Sequence, residues 1–389
     1  MSLRKRPLNP LLDCIASSPM TLFIKSVMKS VKEWTASLAT RFTASSGGLF
    51  IVVLSWSVIA GATGLPGSSV GNESGVSIEA LGQSCYAISD AQDVLPCSSG
   101  YIAQERRAGF SAQVFLGNNV GYLSNVTELL NGTANSQAVH DLFSHHETAE
   151  LTSALNAGYL ANQYGIEITP LRITYVTLFQ NRSLPQVQLF AALEESARAQ
   201  YGTYLGEDIY WGAQLRYLHR RFIANDFFLT DILTEAGAEI LTPHEQNSIF
   251  LEPSLLYAPQ NDWHPSVSFS VMNTGLTDRG ISGLALLPQY HFDVGVAPRC
   301  SWGDLGLGLD FLLDSNSENS LSAVTLGASY RFGILKLMGS VARNATGFGF
   351  IVADDIWSVG ISYANQILVD TIGDKFNERK IYLMVGVQF

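Results

Sequence analysis

Few residue groups in this chain have the type and spacing to do chemistry. Glu194-Glu195 and Asp354-Asp355 offer adjacent carboxylates, the raw material of general acid–base work. Neighbours on a strand point to opposite faces, so neither pair forms a dyad. His145-His146 offers two imidazoles, but adjacent residues do not share a helix face. The doublet reads as a solvated loop. H-E-x-x-H and Walker loops are missing from the sequence. The expectation is therefore no catalytic residue, no metal site and no cofactor. Of four cysteines, Cys14 falls in the leader and Cys300 stands far from the rest. Cys85 and Cys97 are twelve apart; in an oxidising compartment they bridge, and otherwise they are two buried thiols.

The elements that would hold such residues are written in twos. In 209–217, Ile209, Trp211, Ala213, Leu215 and Tyr217 share one face against Tyr210, Gly212, Gln214 and Arg216. The same alternation runs through 304–311, 324–332 and 357–363, and more briefly through 267–271 and 290–296. The second face is mostly Gly and Ser with isolated charges. A soluble sandwich would turn a charged face outward. A small, weakly polar face suits a narrow lumen, and the aliphatic face suits lipid. Trp211, Tyr217, Tyr330, Phe332, Trp357 and Tyr363 stand near segment ends, as aromatic girdles require. The competing reading is a soluble sandwich with the same period.

Composition agrees. Apolar residues make up 47% of the 389 and charged residues 15%, below the roughly 25% of a soluble domain. No run of about 20 apolar residues follows residue 65, so spanning must be done by strands. Residues 1–50 hold seven basic and two acidic residues, which leaves sixteen basic and thirty-two acidic for the remainder. An acidic body lacks the positive footprint of nucleic-acid binding.

Residues 49–59 are a compact apolar segment followed by Ala60-Gly61-Ala62. Basic residues, a short apolar core and A-x-A predict a secretory signal cleaved after Ala62, with Met20 or Met28 as alternative starts. An organellar transit peptide and a single-pass anchor are the rival readings of this stretch. At the other end, Ile381, Leu383, Val385, Val387 and Phe389 share a face, as in the closing strand of an outer-membrane barrel. Tyr382 and Phe389 are the positions read as its assembly signal. Deleting Phe389 is expected to impair membrane assembly; unchanged insertion in a fractionation assay would count against that role.

The strand phases place Arg216, Glu252, Asp293, Asp310, Arg331, Lys336 and Lys380 on the lumen face. Both signs occur, so paired charges across a filled lumen are expected rather than an ion-selective pore. From His140 to Ala157, Leu142, Leu151, Ala154 and Leu155 form a partial helical stripe, which predicts a short helical insertion near 140–157. Residues 63–389, at roughly 23 per strand and loop, allow about fourteen strands.

The segment from Gly75 to Ala103 resembles the N-terminal segment of FadL-like transporters, PorV-like secretion barrels and conjugation-associated relatives. Leu81, Gly82, Ala87, Asp90, Gly100 and Ala103 match that pattern; Cys97-Ser98-Ser99-Gly100 stands where it has Asn-Pro-Ala-Gly. Pro253–Pro259 leading into 266–273, and Leu287-Pro288 before 290–296, are similar to the PorV-like series. The resemblance implies an all-β chain: one antiparallel transmembrane barrel over 104–389, a plug or lumen lining at 63–103, and a leader at 1–62. It implies a bacterial outer-membrane protein whose partners are membrane lipid, the barrel-assembly machinery, and a hydrophobic small molecule or a secreted protein. Passage of a hydrophobic solute through a plugged barrel is the leading function. A non-transporting PorV-like scaffold is the alternative, and an organellar porin the third.

Overall fold

A computed structural model describes residues 75–88, 95–105, 108–117, 120–134, 136–143, 149–179, 186–231, 240–277, 286, 288–300, 303–314, 324–369 and 375–388. The leader with Ala60 and Ala62, the His145-His146 doublet and Phe389 lie outside the described residues.

The described residues form fourteen antiparallel strands. They are β1 (Gly109–Gly117), β2 (Ala149–Ala161), β3 (Tyr164–Phe179), β4 (Gln186–Gly206), β5 (Ile209–Phe228), β6 (His244–Tyr257), β7 (Ser266–Met272, resuming at Gly275–Thr277) and β8 (Gln289–Val296, resuming at Arg299–Cys300). β9 (Gly303–Asp314), β10 (Val324–Phe332), β11 (Leu335–Ala342), β12 (Ala345–Ala353), β13 (Trp357–Val369) and β14 (Lys375–Gln388) complete them. Each pairs with its neighbour in sequence, and β14 returns to β1 in register from Gly109↔Gln388 to Gly117↔Lys380. Closure satisfies every strand edge, which is what a sheet needs in lipid.

Alternation decides the two faces. On β14, Ile381, Leu383, Val385 and Val387 are exposed while Lys380, Tyr382 and Met384 are buried. Leu326 on β10, Leu215 on β5 and Val359 on β13 are likewise exposed, on the outer face. The outer surface is an aliphatic band rimmed by Tyr164, Tyr201, Tyr204, Trp211, Tyr257 and Trp357, all exposed and all near the short-turn rim. Such a band and girdle is a lipid-facing surface. Turns at that rim are tight: between β4 and β5, Glu207 and Asp208 have φ of 52° and 60°, the backbone of a two-residue hairpin turn. The longer connections lie at the opposite rim, called the mouth below.

The wall has unequal height. β4 and β5 run 21 and 20 residues, but β10 to β12 only 9, 8 and 9. At about 3.3 Å per residue and a tilt near 45°, β4 stands ~49 Å tall against a band of ~25 Å. The surplus projects past the lipid. Its outer face is covered by α1 (Leu123–Leu130) and α2 (Ser136–Phe143), whose Val126, Leu129, Leu130, Leu142 and Phe143 pack on Leu151, Tyr175, Leu189 and Ile223.

The helical insertion expected near 140–157 is corrected here. Helix occupies 123–130 and 136–143, and Ala149–Ala161 is strand β2. On β2, Leu151 packs outward against the helices, while Ala154 faces the lumen. Small and apolar residues on both faces mute the alternation and imitate a helical stripe.

Candidate functional site in the lumen

The inward faces hold a chain segment and a stack of buried charges. Short helical turns at Val76–Leu81, Gly82–Ala87 and Ser99–Gln104 lie against the inner wall. The glycines of the inward faces mark where this segment sits. A Cβ on Gly212 would lie 2.2 Å from the Ser99 carbonyl carbon, and one on Gly295 would lie 2.0 Å from the Ala87 oxygen. On Gly347 it would lie 2.2 Å from the Glu79 oxygen, and on Gly165 it would lie 2.4 Å from Leu95 Cδ2. The first two turns face β7 to β14, and the third faces β3 to β6. Cys85 and Cys97 are joined by a disulfide, Cα atoms 6.0 Å apart, which ties the two halves together. Tyr101 Oη also donates to the Ala87 carbonyl at 3.0 Å. Ser266 and Ser268 on β7 donate to the Ala87 and Tyr86 carbonyls at 3.0 and 3.1 Å, pinning the segment to the wall.

Above and beside it, charges pair across strands. Arg198 on β4 donates twice to Glu167 on β3, both at 2.9 Å. Glu252 on β6 accepts from Arg216 Nη2 at 2.7 Å, Gln214 Nε2 at 2.5 Å and the Asn273 amide at 2.9 Å. Asn273 (φ 58°) is the bulge where β7 breaks and resumes, so Glu252 caps an irregularity of the wall. Arg172 and Arg220 each approach Glu194 at 3.8 Å, and Arg220 also donates to Gln246. On the far wall, His291 stacks on Tyr86 with centroids 4.3 Å apart, and its Nδ1 is 3.1 Å from Asp310.

The structure places Arg216, Glu252, Asp293, Asp310, Lys336 and Lys380 as buried inward side chains. Arg216 and Glu252 meet; Asp293 and Asp310 face each other across β8 and β9. Arg331, half-buried at a strand end, stands opposite Asp304 and Lys336 in the register. Tyr382 points inward, its ring 4.0 Å from that of Phe115. Sequence reasoning missed Glu167, Arg172, Arg198, Arg220 and His291. A signal existed for part of this set: Glu194, Arg198 and Gln200 share one phase of β4.

An inward patch toward the mouth is apolar. Val176, Leu178, Phe190, Ala192 and Phe222 cluster on the inner face of β3, β4 and β5. They stand toward the mouth, directly beyond the row of Arg172, Glu194 and Arg220. Below that row β3 carries one residue more than both neighbours between Ile168 and Leu171, with Pro170 exposed at the bulge.

No family model matches the chain, and no curated protein matches it. Among solved structures it is similar to the toluene transporter TodX of Pseudomonas putida, at 10% identity and a TM-score of 0.45, covering 80% of this chain and 96% of that one. It is similar to the toluene transporter TbuX of Ralstonia pickettii at 9% identity and 0.44, covering 81% and 97%. Outer membrane phospholipase A of Escherichia coli matches at 10% identity and 0.32, covering 75% and 98%.

Proposed function

We propose that this outer-membrane barrel passes a hydrophobic solute from the mouth into a lumen plugged by residues 75–88 and 95–104. One observation carries the reading: the apolar cluster of Val176, Leu178, Phe190, Ala192 and Phe222 on the inner face toward the mouth, beyond the charged row of Arg172, Glu194 and Arg220. Barrel closure needs nothing apolar inside. An apolar patch at the mouth offers a solute a place out of water, at about 25 cal/mol per Å² of its surface buried. A filled lumen differs from the open, water-filled one of a porin. The bulge at Pro170 interrupts the ladders on both sides of β3 within the wall, the weakest place for a solute to leave sideways.

The test is uptake of a lipophilic fluorescent probe into vesicles carrying the protein. Phe190→Asp and Phe222→Asp put a carboxylate in the patch. Uptake is expected to fall on the order of tenfold or more, the effect of ~1.4 kcal/mol, with heat-modifiable gel migration retained. Uptake unchanged in both variants would remove transport and leave the scaffold reading.

A further inference from the structure

Ser268 stands between two acceptors and has one hydrogen to give. Its Oγ lies 3.1 Å from the Tyr86 carbonyl oxygen of the inserted segment and 2.9 Å from Asp293 Oδ2 on the neighbouring strand. An ionised Asp293 only accepts, and a serine hydroxyl donates once, so one of the two contacts would go unmade. A proton on Asp293 ends the conflict. The carboxylic acid then donates to Ser268 Oγ, and Ser268 donates to Tyr86. The bonds run in one direction, from the wall to the segment.

The surroundings favour the same state. Asp293 is 0% exposed, and its Oδ1 has no hydrogen-bond partner. A dry carboxylate held by one hydroxyl is poorly compensated. Asp310 stands directly opposite it on β9, also 0% exposed. His291 on β8 stacks on Tyr86 and puts its Nδ1 3.1 Å from Asp310 Oδ1, so the imidazole serves Asp310. Tyr101 of the third helical turn also faces Asp293, and its hydroxyl goes to the Ala87 carbonyl. β7 brings the uncharged Ser266, Ser268 and Ser270, and β10 brings Thr325 opposite Asp310. With His291 paired to Asp310 and a proton on Asp293, the cluster under the seated segment is neutral. Lifting the segment admits water, in which a carboxyl group ionises freely near neutral pH. The seated state therefore binds more protons than the lifted one, and raising the pH favours lifting.

We propose that Asp293 is a proton latch on the inserted segment. Protonated, it leaves the Ser268 hydrogen free to hold Tyr86; ionised, it takes that hydrogen, and residues 82–87 lift from β7 more often. The proposal rests on the reading that the segment seals the lumen, and it does not depend on which solute passes.

The experiment counts open-channel steps of the purified full-length protein in planar bilayers at pH 6 and pH 9. One proton permits at most about a tenfold change per pH unit, and wild type is expected to open about tenfold more often at pH 9 than at pH 6. Asp293→Asn keeps an N–H toward Ser268 Oγ at every pH, so its opening frequency should change by less than about twofold over the same range. Ser268→Ala removes the shared hydroxyl and should open more often than wild type at pH 6, with heat-modifiable migration kept. Gly212→Val, whose new Cβ would meet the Ser99 carbonyl carbon, is the reference for a segment forced off the wall. A wild-type pH response that survives in Asp293→Asn, or wild-type behaviour of Ser268→Ala at pH 6, overturns the latch. So does a wild type that stays closed at pH 9 while Gly212→Val opens, and that outcome keeps the seal. Closure of both wild type and Gly212→Val at every pH overturns the sealing reading and the latch with it.

Discussion

Replacing Gly212 by valine is expected to unseat residues 95–104 and open the lumen, while the fourteen-stranded wall still forms. A Cβ there would lie 2.2 Å from the Ser99 carbonyl carbon, 2.3 Å from its oxygen and 2.5 Å from the Gly100 nitrogen. These are backbone atoms, so no side chain can rotate away. Ordinary overpacking costs about 1–3 kcal/mol because neighbours give way; here the neighbour is a turn held by the Cys85–Cys97 disulfide and by the Tyr101 bond to Ala87. The wall has no comparable conflict, since Gly212 pairs with Gly202 and Ser254 through its backbone alone. The segment must therefore yield before the barrel does. Planar-bilayer recordings should show open-channel steps that wild type lacks, and protease should cut the freed segment. Gly121→Ala, with nothing within 4 Å of the new atom, serves as the control. Wild-type conductance and wild-type protease resistance in Gly212→Val would show that the segment does not seal the lumen.

That glycine also shows how far the sequence could be read. Strict alternation in 209–217 placed Gly212, Gln214 and Arg216 on one face, and a small face implied a narrow lumen. The physical cause is more specific. Gly165, Gly202, Gly212, Gly295, Gly327 and Gly347 face the inserted segment because its atoms come too close for a Cβ: backbone atoms at Gly202, Gly212, Gly295 and Gly347, and the Leu95 and Ser84 side chains at Gly165 and Gly327. One face of a strand can be read without knowing its partner, but a footprint cannot, because it belongs to two segments far apart in sequence. The phases of 304–311, 324–332 and 357–363 were legible for the same reason that Leu307, Leu326 and Val359 are exposed: lipid on one side and lumen on the other give the faces opposite chemistry.

Legibility failed where that contrast fails. In 173–178 and 187–193 both faces are apolar, one packed under α1 and α2 and the other facing the mouth. No period of two survives there, so the patch that carries the transport reading left no pattern. At β3 the extra residue near Pro170 inverts the phase: Ile166 and Ile168 are exposed before it, and Leu171 after it. Bulges move every later side chain to the other face. The ion pairs were half legible. Arg216 and Glu252 fall on inward phases, but their meeting depends on the β5–β6 register, which places Arg216 opposite Phe250 and Gln214 opposite Glu252.

That meeting sets the second large expectation. Glu252→Ala should lower resistance to unfolding by about 3–5 kcal/mol, the usual cost of leaving one member of a buried pair alone. The carboxylate removed accepts three hydrogen bonds, two from β5 side chains and one from the Asn273 amide of the bulge. Arg216 would keep the Asn273 Oδ1 bond at 2.6 Å and its place over the Phe250 ring at 4.5 Å. Neither neutralises it. The double variant Arg216→Met with Glu252→Leu removes both charges and fills the space, so it should lose much less than Glu252→Ala. The midpoint of heat-modifiable gel migration measures each variant, and the cycle through both single variants gives the coupling. A double variant as weak as Glu252→Ala would mean that the bulge amide, rather than the charge on Arg216, is what Glu252 serves. A double variant near wild type would show that the pair sets the register of β5, β6 and the broken β7 at little net gain in stability. In that outcome the charges below the mouth are retained for the shape of the lumen rather than for its strength.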